Sequence, residues 1–90
     1  MKSIVIGIGG GASASMDAIM KVYPRHKAVV DTFVARGDVI GIGPFSDRSG
    51  SLAIFRSREA AEAFVAQDPF ILEGLIKSFE IRDWADEMLA

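Results

Sequence analysis

Cysteine is absent from this chain, and histidine occurs once, as His26. No disulfide can staple the fold, and a zinc centre built on several cysteines and histidines is excluded. Charge of one sign is lacking as well. Ten Lys and Arg against twelve Asp and Glu give a formal net charge of −2, scattered without a basic patch, so no nucleic-acid partner is expected. No apolar run approaches the ~20 residues of a membrane-spanning helix. The N-terminus has neither an arginine-rich presequence nor signal-peptide anatomy, so the expectation is a cytoplasmic protein with no membrane partner. Half of the 90 residues are hydrophobic, which is the composition of one folded domain over 1–90. A domain of this size buries only roughly 60–65% of the surface its unfolded chain exposes. With disulfides and zinc removed as supplements, self-association is the one expected.

Residues 2–8 are rich in β-branched side chains and run into Gly9-Gly10-Gly11, as a strand entering a loop does. Met16, Ile19, Met20 and Tyr23 follow at helical spacing over 14–23. Pro24 is then expected to interrupt, because proline lacks an amide donor and suits a first turn better than a helix interior. Residues 24–36 carry Val29, Val30, Phe33 and Val34 on one side of a second helical stretch, closed by Gly37. Residues 38–45 and 51–56 read as two strands joined through Ser46-Asp47-Arg48-Ser49-Gly50, a short link that suggests a hairpin. Ser57 is placed to cap a helix over 58–67, which ends where Asp68 precedes Pro69. One more turn over 70–73, closed by Gly74, leads to a last strand over 75–83.

The order is βαββαβ, a split pattern that lays two helices on one face of a four-stranded antiparallel sheet: an α+β, ferredoxin-like fold. The other face is expected to be apolar too. Leu52 and Ile54 point opposite to Ala53 and Phe55, and Ile40 and Ile42 opposite to Val39 and Phe45. A second copy packing on that face would give a homodimeric α+β barrel.

Gly7-Ile8-Gly9-Gly10-Gly11-Ala12 imitates a dinucleotide fingerprint, with Asp31 about twenty residues on. The chain is too short for a nucleotide domain, Asp31 lies in a helical stretch, and Pro24 would cut the crossover helix. The segment reads as a mobile loop rimming a ligand, and no cofactor is expected. Ser13 and Ser15 lack a nucleophile elbow and read as helix caps. His26 shares the stripe of Val29, Val30 and Phe33. In the first turn after Pro24 it would sit at the positive end of a helix, where dipole and burial both favour an uncharged ring able to accept a proton. The competing reading is a half-buried histidine satisfied by a carbonyl. Asp68 reads first as the cap of the short turn that follows it; a carboxylate on His26 would also fix the tautomer of the ring, but spacing alone does not bring the two together. Most phenylalanines read as core, with Tyr23 and Trp84 as the pocket linings.

His26, Gly37, Gly43-Pro44-Phe45, Gly50, then Ser57 with Glu59-Ala60-Ala61, and finally Asp68-Pro69-Phe70 fall in one register. Over residues 22–84 this pattern resembles the YciI-like (YCII-related) family. Many relatives carry arginine three residues before the histidine, where this chain has Tyr23, with Arg25 directly before His26. The resemblance implies a dimeric α+β barrel and a His–Asp pair, His26 with Asp68, as acid–base machinery in a pocket. Tyr23, Arg25, Gly43, Pro44 and Phe70 are the candidate ligand contacts around them, with no metal. It thereby suggests a cofactor-free lyase or isomerase that abstracts a proton from a small cyclic or aromatic compound. A non-catalytic ligand-binding or dimerisation module is the alternative.

Overall fold

In the computed structural model, which describes residues 1–10 and 15–87, seven elements follow one another: β1 (Lys2–Ile8), α1 (Met16–Ala35), β2 (Val39–Pro44), β3 (Gly50–Phe55), α2 (Arg58–Val65), α3 (Pro69–Leu72) and β4 (Ser78–Trp84). Ser13 and the final three residues lie outside the described residues, as do positions 11–14 of the glycine-rich loop. The strands form one antiparallel sheet in the order β2-β3-β1-β4, with the helices on one face, so the α+β ferredoxin-like fold is as expected. Two chain crossings through helices place the first and third strands at the centre, where β1 pairs with both β3 and β4. The centre is tight at its hairpin end. A Cβ on Gly50 would stand 2.0 Å from the Gly7 carbonyl oxygen, so only glycine lets β3 cross β1 there.

The core lies between sheet and helices. Phe33 of α1, Phe55 of β3 and Phe64 of α2 pack edge to face or tilted, with ring centroids 5.1–6.3 Å apart, around Val5, Ala53, Ala60 and Ala61. Such aromatic contacts add about 0.5–1.5 kcal/mol per pair beyond burial. The two long helices start on serine caps as local chemistry requires. Ser15 accepts from the Ala18 amide and Ser57 from the Ala60 amide, both at 3.1 Å.

Three expectations are corrected. Pro24 does not divide the first helix, because α1 runs unbroken from Met16 to Ala35 through it. The reason lies in phase: Ile19, Val22, His26, Val29 and Phe33 recur at alternating steps of three and four, so one inward stripe continues across the proline. Burial along that stripe outweighs the single amide bond that proline forgoes. Val22 is the buried residue of the first half, whereas Met16, Met20 and Tyr23 are exposed. The second correction concerns β2. A bulge between Val39 and Gly41 shifts the register, setting Ile42 opposite Ala53 on the same, helix side as Val39 rather than opposite to it. The third is Trp84, which stands opposite Lys2 at the end of β4, on the face away from the helices and outside the pocket.

Candidate functional site

A cleft of about 530 Å³ opens between the N-terminal half of α1, the α3 turn and the helix side of the sheet. That is the size of a small-molecule site. Its walls are largely apolar, with Ile19, Ile42, Phe45, Ile71, Leu75 and Phe79 among them. His26 and Asp68 meet on its wall. His26 Nδ1 lies 2.7 Å from Asp68 Oδ1 although the residues are 42 apart in sequence. The aspartate is 2% exposed and the histidine ring 15%.

Each partner is positioned by its own local structure. Asp68 is the N-cap of α3, and the same Oδ1 accepts the Phe70 amide at 3.1 Å. Capping fixes the carboxylate before any ligand arrives. Pro69 follows at the first helical position, where its missing amide costs nothing. Phe70 then lays its ring on the imidazole, with centroids 4.1 Å apart and planes 13° from parallel. Phe64 meets the imidazole edge-on at 6.3 Å. The ring is thus clamped by a face, an edge and a hydrogen bond, which is more orientation than a core histidine with a stray carbonyl partner would have.

The position of His26 departs from the helix-terminus argument. It lies in the third turn of a continuous α1, so the positive end of the helix is not what acts on it. The carboxylate does. An acceptor at Nδ1 selects the tautomer with its proton on Nδ1, which leaves the Nε2 lone pair free. Nε2 takes no partner among the described residues, and none of their side-chain nitrogens and oxygens is both buried and unpartnered.

Of the expected ligand contacts, Tyr23, Gly43, Pro44 and Phe70 line the cleft with the pair. Arg25 does not. It is 60% exposed, does not line the cleft and bridges α1 to α3 through Glu73. Hydrogen bonding to Arg25 holds the Glu73 carboxyl below its ordinary range, so this link operates at neutral pH and fades as acid protonates Glu73. Arg25→Ala is therefore expected to leave ligand affinity unchanged in a binding titration, since an exposed pair of this kind contributes little. A marked loss of affinity would return Arg25 to the site. The sequence reading also missed Ile42, Arg48 and Ser51 as lining residues. The bulge hid the first, and the other two belong to a hairpin whose position over the cleft depends on the strand order. Among the described residues, no three His, Cys, Asp or Glu side chains cluster as a metal site, and no helix is long and apolar enough to cross a membrane.

A model of the YCII-related domain matches residues 5–85. No curated protein matches by sequence. Among solved structures, 5-chloro-2-hydroxyhydroquinone dehydrochlorinase from Burkholderia phenoliruptrix AC1100, in complex with 2,5-dihydroxybenzoquinone, superposes with a TM-score of 0.74 at 21% identity, covering 97% of this chain and 96% of that one. A Mycobacterium tuberculosis protein superposes at 0.54 with 14% identity, covering 96% of both chains. An antibiotic biosynthesis monooxygenase superposes at 0.52 with 16% identity, covering 96% of this chain and all of the other. At these identities the likeness is one of fold.

Proposed function

We propose that this chain, which belongs to the YCII-related family, is a small acid–base enzyme in which His26 is the general base and Asp68 its orienting partner. The observation that carries the reading is the 2.7 Å contact of Nδ1 with a buried carboxylate, beside an apolar cleft, with Nε2 left unpartnered. In the reaction, Nε2 takes a proton from an activated C–H or O–H of the substrate, and the electron pair released forms a new double bond. The pair either expels a leaving group or is reprotonated at another atom, giving elimination or isomerisation. Asp68 stabilises the imidazolium formed on the way. The chemistry calls on no cofactor, because the imidazole itself accepts the proton. A small cyclic or aromatic compound suits the cleft, and a structural relative that is a dehydrochlorinase bound to a dihydroxybenzoquinone supports that class.

The test is proton exchange. Cyclic ketones and hydroxylated aromatic rings incubated in deuterated water with the protein should lose their acidic C–H signal in proton NMR, and should keep it with His26→Ala. Exchange that is equal with both proteins would leave a ligand-binding module as the better account.

Homodimerisation through the open face belongs to the same reading. Ile4 pairs with Ile54 and Ile6 with Leu52 across the two central strands, on the side away from the helices, and all four remain partly accessible in the single chain. This apolar patch on the central strands, flanked by Glu80 and Arg82 of β4, favours cover by a second copy. Light scattering at micromolar concentration should give twice the 9.7 kDa of one chain, and Ile54→Asp should return it to one. A monomeric wild-type mass would remove the dimer.

A further inference from the structure

Among the described residues, Arg48 is the one Lys or Arg that lines the cleft. Several other Lys and Arg side chains are tied up in ion pairs, but Arg48 pairs with no carboxylate among the described residues. Its sequence neighbour Asp47 is engaged elsewhere, accepting the Ser49 amide at 2.9 Å. Arg48 also has φ +64°, and is the only residue other than glycine with positive φ among those described. A side chain that large in the left-handed region costs stability, and glycine would carry the turn more cheaply. Turn formation alone does not explain an arginine there.

A second polar group stands on the cleft floor. Ser51 pairs with Gly7 across β3 and β1, on the helix side of the sheet. A Cβ on Gly7 would meet the Ser51 hydroxyl at 2.7 Å, so the absence of a side chain there makes room for it. Ser51 is half-buried and lines the same cleft. The cleft also contains the carboxylate of Asp68, which repels a second negative charge nearby. An anionic ligand must therefore carry its charge toward the hairpin end, where Arg48 and Ser51 lie.

We propose that the substrate is a small cyclic or aromatic carboxylate, whose carboxylate is held by Arg48 and Ser51 while its ring rests on the apolar walls. This rests on the reading of the cleft as a substrate site. A guanidinium matches a carboxylate as a planar fork, and the hydroxyl supplies one further donor. Arg48 is a specificity residue here, and His26 retains the proton-transfer role.

The experiment is a pair of NMR titrations of the full chain with benzoate and with benzamide, its neutral counterpart of the same shape. Benzoate should bind about tenfold more tightly than benzamide, as one charge-assisted hydrogen bond supplies, and should shift the amide signals of Ser51 and Arg48. Arg48→Gly should abolish the preference while holding or raising the thermal midpoint, because glycine adopts positive φ freely. Arg48→Lys should keep part of it. Equal binding of both ligands, no benzoate binding at millimolar concentration, or a preference that survives Arg48→Gly would each overturn the proposal. His26→Ala separates the two readings. If it keeps the benzoate preference, the carboxylate site stands whatever becomes of the base, and a silent Arg48 leaves the His26 exchange assay untouched.

Discussion

His26→Ala is expected to lower turnover by about 10²- to 10⁴-fold, the range over which a positioned general base acts. The loss should fall on kcat more than on KM, because Nε2 acts on the proton in flight and the apolar walls hold the ring of the ligand. Asp68→Asn should produce a smaller fall. Its amide oxygen can still accept the Phe70 amide and so keep the α3 cap, but the neutral group cannot stabilise the imidazolium. Asp68→Ala should lose the cap as well, at a cost of about 1 kcal/mol. The ordering is the informative part. If His26→Ala and Asp68→Ala reduce only thermal stability, and turnover per folded molecule is unchanged, the pair is a packing feature.

Phe55→Ala is expected to destabilise the fold by about 3–5 kcal/mol. Phe55 is fully buried and touches both other rings of the core triad, with centroids 6.3 Å from Phe33 and 5.1 Å from Phe64. A domain of this size has only ~5–15 kcal/mol in total, so the variant should unfold at much lower denaturant than wild type. The effect should also reach the site, because Phe64 is shared between the core and the edge of the His26 ring. A loss near 1 kcal/mol in urea unfolding would mean that the cluster repacks around the gap.

The βαββαβ order was legible because each boundary carries its own local chemistry. Ser57 caps α2, Asp68 and Pro69 open α3, and Gly37 and Gly74 take the positive φ expected past helix ends. Pro24 misled because its local penalty is real, while the compensation comes from tertiary burial of a stripe that stays in phase on both sides of it. Ile42 and Trp84 were misassigned for a different reason. A bulge reverses the faces of a strand without marking the sequence, and an amphipathic aromatic suits a dimer face as well as a pocket rim. The meeting of His26 with Asp68 was suggested by family resemblance. Spacing could not supply it, since the contact spans 42 residues and depends on α3 docking beside α1. The role of the hairpin was the least legible part. Arg48 reads as one more polar turn residue until strand order brings it over the cleft.

The central claim concerns one proton, and nitrogen NMR of the imidazole measures it most directly. With the ring uncharged, the account predicts a protonated Nδ1 and a bare Nε2, with Asp68→Asn weakening that hydrogen bond and shifting both resonances. A proton on Nε2, or nitrogen signals indifferent to Asp68→Asn, would contradict it.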